Sequence, residues 1–300
     1  MMPEGPEVRT LVDQLQPAVG MRLADLRFLS GRYVRHGRPK GFDDFRRTMT
    51  PFDKQRIKSG GGDDQADGSD DSKDTDADDE GDMLARALKT QDEVDVVTEW
   101  KAKGKFIYLI LDDGNSSAVT SGDNIIVDES DYLRSIWITL GMSGRFVSET
   151  ANSASDYFHE YGNGVEDGAR WYMDFWDPNN EKTRRVFYHD TRNFGTLRFS
   201  LSESELTQKL ATLGLDILDP KTTVDGFLAV MDRTKPTVNI CKFLMDQKKI
   251  SGVGNYILAE GLYRANIDPF ACLSELSEQR SERCLTKYRP PPSSAMQARD

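Results

Sequence analysis

The stretch KKISGVGNYILAEGLYRANIDPF, residues 248–270, decides how the rest of the chain is read. Its glycine-rich turn, SGVGN, separates a helix ending at Asp246 from one beginning near Asn255. Helix, glycine-rich turn, helix suits contact with a DNA backbone. Glycines let main-chain N–H groups approach a phosphate, and the second helix adds its positive N-terminus. A plain interhelical turn fits the same residues, so the surroundings have to choose.

Upstream of this turn lie further helical segments. SESELTQKLATLG (202–214) opens on a Ser cap with Glu following and carries Leu206 and Leu210 one turn apart, and TVDGFLAVMD and PTVNICKFLMD read as helices too. Before Ser202 the period is that of strands. LADLRFL (23–29), FIYLIL (106–111), YLRSIWITLGM (132–142), RWYMDFW (170–176), RVFYHD (185–190) and GTLRFSL (195–201) are rich in β-branched and aromatic residues and are separated by Gly-, Asn- and Asp-rich turns. A β-sandwich or barrel is the natural architecture. From Pro6 to Gly20 the spacing of Val8, Leu11, Val12 and Leu15 predicts a helix, with proline at its start and glycine at its stop. The expectation is an α+β, multi-domain chain: an N-terminal helix plus an antiparallel β-sandwich over residues 1–201, a helical domain over 202–285 and a disordered tail over 286–300.

The composition, 37% apolar and 30% charged, points to a part that does not fold. Residues 59–82, SGGGDDQADGSDDSKDTDADDEGD, cannot bury enough surface to offset the entropy of ordering, and a disordered insert is expected over about 59–93. Eleven acids and one base give residues 59–82 a charge of −10, so the chain's −11 less this leaves −1 elsewhere. Acidity therefore does not exclude a polyanionic partner, and basic clusters stand out at 32–40, 101–105 and 246–249. A like-charged insert would weakly repel DNA or recruit another protein. No apolar run approaches the length of a membrane span, and no signal pattern opens the chain, so a soluble intracellular protein is expected, in the nucleus. Cys241, Cys272 and Cys284 form no C-x-x-C pair; reduced thiols, no four-cysteine zinc site and no cofactor follow.

Taken together, MPEGPEV, KGKFIYL, LGMSG, DTRNFG and MDQKKISGVGNYILAEGLYRANIDP resemble, in order from Met2 to about Phe270, the DNA glycosylases of the formamidopyrimidine-glycosylase and endonuclease VIII family. The Glu-Gly-Pro-Glu start is more similar to the endonuclease VIII branch. The resemblance implies a monomeric bifunctional glycosylase and abasic-site lyase of base excision repair, acting on oxidised bases in double-stranded DNA and cutting by β- or β,δ-elimination. Its helical domain would be a helix–two-turn–helix.

The resemblance also implies roles for single residues. Pro3, once Met is removed, is the nucleophile that attacks C1′ and forms a Schiff base. A chain-terminal amine with a pKa of about 7.7–8 is partly unprotonated at neutral pH, unlike an ordinary lysine. Glu4 is the general acid and base. Glu7 helps to fix the active site, or is a helix-dipole partner only. Lys105 contacts phosphate and sugar beside the lesion, or merely snorkels at a strand end. Met142, Arg192 and Phe194 fill the hole left by the flipped nucleotide; core packing for Phe194 and a surface ion pair for Arg192 are the plainer readings. Asn255, with Gly252 and Gly254, holds a phosphate, or caps its helix.

Three features depart from the family pattern. Met1 ahead of Met2 would leave Pro3 locked in an amide, so Met2 is expected to be the initiator, or residue 1 an artefact of the gene model. The residues after Phe270 lack strand alternation, so the family's C-terminal β-hairpin finger and its zinc are expected to be absent, which opens an alternative: a catalytically impaired damaged-DNA-binding protein. The acidic insert stands where the family has a short loop.

Overall fold

The computed structural model describes residues 3–49, 95–112, 131–148 and 167–288. The acidic insert, Met1, Met2 and residues 289–300 lie outside the described residues.

Helix α1 (Gly5–Leu15) buries Val8, Leu11, Val12 and Leu15, the stripe expected from their spacing, and Gly20 ends the following turn at φ 84°. Each such side chain contributes about 1.5–3 kcal/mol when fully buried, so the chain's first helix is firmly seated. The strands are β1 (Arg22–Phe28), β2 (Val96–Lys103), β3 (Phe106–Asp112), β4 (Tyr132–Thr139), β5 (Gly144–Ser148), β6 (Ala169–Asp177), β7 (Lys182–Asp190) and β8 (Thr196–Ser202). They form one antiparallel sheet in the order β5-β7-β6-β1-β2-β3-β4-β8. All eight send side chains into a single core, from Leu23 on β1 through Phe146 on β5 to Phe199 on β8. The sheet must therefore fold over on itself, and its two ends meet where the Tyr188 hydroxyl donates to the Leu140 carbonyl at 3.2 Å. The expected sandwich is thus one continuous sheet, with α1 and the short helices α2 (Arg32–Arg35) and α3 (Phe42–Thr48) packed on it.

Beyond the sheet come α4 (Glu203–Ala211), α5 (Val224–Asp232), α6 (Ile240–Met245), α7 (Asn255–Ala265) and α8 (Glu278–Tyr288). The Ser202 hydroxyl accepts the Glu205 N–H and so caps α4, as the sequence implies. Two expectations need correction. The sequence puts the start of the tail at 286, yet α8 continues to Tyr288, because the Tyr288 ring is buried against Gly261 and its hydroxyl donates to the Leu258 carbonyl at 3.3 Å. The second lobe reads as wholly helical, yet β9 (Leu215–Asp216) pairs in parallel with β10 (Ile250–Ser251). The change of period at 202 also does not mark the break in packing. Leu206 of α4 sits with Phe106 and Trp137 on the outer face of the sheet, whereas α5 to α8 share a core of their own.

Candidate active site and nucleic-acid interface

The first described residues lie in the seam between the lobes. Glu4 is only 2% exposed, and its carboxylate accepts the Tyr256 N–H at Oε1 and the Ile257 N–H at Oε2, both at 3.1 Å. These donors belong to the first turn of α7, where main-chain N–H groups lack partners within the helix. The residue in the N-cap position is Gly254, which has no side chain to offer. A carboxylate at the far end of the sequence supplies the cap instead, where the helix dipole favours negative charge. The fit explains the glycine: a Cβ at position 254 would lie 2.1 Å from Glu4 Cδ. Gly5 donates its N–H to the Gly252 carbonyl at 2.9 Å, which ties the same two segments again. Glu7, one turn on, accepts the Glu4 N–H at 3.1 Å and the Tyr256 hydroxyl. Pro3 is half-buried immediately before this carboxylate pair.

Lys105 reaches the same place from the sheet. Lys103 pairs with Phe106, so Gly104 and Lys105 form a two-residue hairpin turn, and Gly104 adopts φ 59° as such turns require. The turn presses on the second lobe, for a Cβ at Gly104 would stand 2.6 Å from Gly252 N. Burial lowers the pKa of the Lys105 ammonium below its ordinary value, and the charges of Glu4 and Glu7 oppose that shift. The other lysines of this basic cluster are engaged elsewhere: Lys101 pairs with Glu99 at 2.6 Å, and Lys103 donates to the Leu210 carbonyl at 2.9 Å. The structure therefore gathers Pro3, Glu4, Glu7, Lys105, Gly252 and Gly254, with Asn255 exposed at the first position of α7.

Met142, Arg192 and Phe194 form a second group, on the turns that follow β4 and β7. Asp190 staples these turns, accepting the Ser143 hydroxyl at 2.5 Å and the Gly195 N–H at 2.6 Å. Arg192 donates its N–H to Ser143 Oγ at 3.0 Å and lays its guanidinium against Met142 Sδ at 3.5 Å. Met142 and Phe194 are 39% and 56% exposed, so Phe194 does not serve the core. Two apolar side chains are thus offered to solvent on neighbouring turns, where a partner could cover them. Beneath them Arg32, from the cluster at 32–40, donates to the Asn193 carbonyl at 2.7 Å.

Sequence reasoning did not find Asp190, Asp216 or Tyr256. Asp190 opens the DTRNFG motif and Tyr256 follows Asn255, so motif membership was the available signal for both. Nothing in the local sequence marks Asp216, whose carboxylate accepts the Gly104 N–H at 2.8 Å.

Residues 213–290 match the family model described as the formamidopyrimidine-DNA glycosylase H2TH domain. The formamidopyrimidine-DNA glycosylase of Oceanobacillus iheyensis is 32% identical over 109 residues, 36% of this chain and 37% of that one. That of Salinispora tropica is 29% identical over 171 residues, 57% of this chain and 47% of that one. The match thus spans less than half the length of either relative. Among solved structures, Lactococcus lactis Fpg in complex with DNA containing N7-benzyl-Fapy-dG aligns with a TM-score of 0.57 at 18% identity, over 95% of this chain and 76% of that one. The same protein bound non-covalently to DNA containing an AP site aligns at 0.56 and 18% identity, over 95% and 78%. At such identity the likeness concerns the fold.

Proposed function

We propose that the chain is a member of the formamidopyrimidine-DNA glycosylase and endonuclease VIII family, a reading supported by the H2TH match over residues 213–290 and by the partial likeness to formamidopyrimidine-DNA glycosylases. On that premise it is a bifunctional DNA glycosylase and abasic-site lyase acting on damaged duplex DNA in base excision repair. The observation that carries this reading is Glu4, a buried carboxylate next to Pro3, held by two N–H groups of the helix that closes the SGVGN turn.

In the proposed reaction the nitrogen of a chain-terminal Pro3 bonds to C1′ of the damaged nucleotide as the bond from C1′ to the base breaks, and the base leaves with a proton. The sugar ring then opens, the C1′–O4′ bond breaking as O4′ takes a proton, and the secondary amine becomes a cationic iminium that draws electrons from C2′; loss of the C2′ proton expels the phosphate at C3′. Glu4 exchanges protons with the sugar oxygen and C2′. Glu7 holds the main chain of Glu4. Lys105 offers its ammonium to the phosphate beside the lesion, and Asn255 with the Gly252–Gly254 turn offers donors to another. Met142, Arg192 and Phe194 enter the space that the flipped nucleotide vacates.

The test is borohydride trapping on a duplex containing one abasic site, with protein whose N-terminal residue has been read by mass spectrometry. We expect a covalent adduct when Pro3 is terminal and none when a methionine precedes it. No adduct with a free Pro3, alongside tight binding to the duplex, would turn the reading into that of a damaged-DNA-binding protein without the chemistry.

A further inference from the structure

We propose that Asp216 is a positioning residue for Lys105, one that sets the hairpin tip against the two carboxylates of the seam; this rests on the reading of the seam as a catalytic site. Asp216 is 8% exposed, and its two carboxylate oxygens do different jobs. Oδ2 accepts the N–H of Gly104, in the sheet lobe, at 2.8 Å, and Oδ1 accepts the N–H of Leu218, in its own lobe, at 3.0 Å. Its main chain is held as well. The Thr222 hydroxyl donates to the Asp216 carbonyl at 2.6 Å, and Asp216 pairs in register with Ser251, the residue before Gly252. Asp216 thus joins, by its side chain, the turn that carries Lys105 and, by its main chain, the segment leading into the loop that receives Glu4 and Gly5.

The geometry makes this joint sensitive. Gly104, with its Cβ position 2.6 Å from Gly252 N, already touches the second lobe, so the turn has no room to move inward and is kept from moving outward by the Asp216 bond. Hydrogen bonds to a charged acceptor are about twice as strong as neutral ones. In Asp216→Asn one oxygen becomes an NH2 group, and whichever way the amide turns, either Gly104 or Leu218 then faces a donor. Only one of the two N–H groups keeps its acceptor, at nearly unchanged volume.

The experiment is single-turnover borohydride trapping on abasic duplex, at saturating and at limiting DNA, for wild type, Asp216→Asn, Lys105→Met and the double variant. We expect Asp216→Asn to lower the rate at saturation by about 10- to 100-fold, as a displacement of about 1 Å does in positioned sites, with half-saturation little changed. In the Lys105→Met background the same change should cost less than about twofold, because a residue acting through Lys105 has nothing left to position. An undiminished rate in Asp216→Asn, or a loss of the same size in both backgrounds, overturns the proposal. Wild type that forms no adduct refutes the catalytic reading itself, a separate outcome. Should Asp216→Asn not fold, Asp216→Glu keeps the charge but pushes the turn away by one methylene, and the same comparison in the two backgrounds supports or overturns the proposal in the same way.

Discussion

Lys103 and Lys105 stand two residues apart in one basic cluster and meet different surroundings: the first donates to a helix carbonyl, and the second is drawn into the seam beside Glu4 and Glu7. The cost of that burial has a sign that can be measured. Burial puts the folded-state pKa of Lys105 below its ordinary 10.5, so between those two values the unfolded chain holds more protons than the folded one, and stability rises with pH in that window. Below the folded pKa the penalty is present in full. Wild type should therefore gain on Lys105→Met as pH climbs from neutrality towards 10.5, as followed by urea midpoints of the two proteins; a constant gap would contradict the burial. At this scale the sequence singles residues out by their motifs, and the fold brings Glu4, Glu7 and Lys105 together. It is silent on Asp216, because a carboxylate that answers an N–H group 112 residues away leaves no periodic trace.

Among the elements, α7 and the paired turns after β4 and β7 carry most of the site. Gly254→Ala would set a methyl 2.1 Å from Glu4 Cδ, displacing the cap of α7. The trapping rate should fall by about 100-fold, and stability by about 1–3 kcal/mol as buried polar groups lose partners. Phe194→Ala should behave in the opposite way. An exposed side chain changes unfolding free energy by no more than about 0.5 kcal/mol, so the thermal midpoint should hold. Base excision from an intact duplex should drop more than cleavage at a ready-made abasic site, since unstacking costs a few kcal/mol. The β2 strand shows why some elements were hard to read. Its buried residues, Val97 and Trp100, are three apart instead of two, because the register with β3 shifts between Val97 and Glu99. The bulge erases the alternation by which a strand is recognised, and β9 and β10, at two residues each, are too short to show any.

At the scale of the molecule the distribution of charge matters more than its total. Residues 59–82 carry −10 of the chain's −11, so deleting them should strengthen binding to a duplex at low salt. The advantage should shrink as added salt screens exposed charge, which titrations of both proteins at two ionic strengths would show; equal affinities at low salt would leave the acidic run no inhibitory part. The two-lobe plan was legible because the period changes from strand to helix at 202, but not the allegiance of α4, which depends on Phe106 and Trp137 far away in the sequence. The seating of Glu4 on α7 also orders events during synthesis. The carboxylate has no helix to cap until Tyr256 and Ile257 have been made, about 250 residues later. At about 5–20 residues per second, that interval lasts roughly 12–50 s. For that time Glu4 and Gly5 have no second lobe to bind, so the seam is among the last contacts of the fold to close.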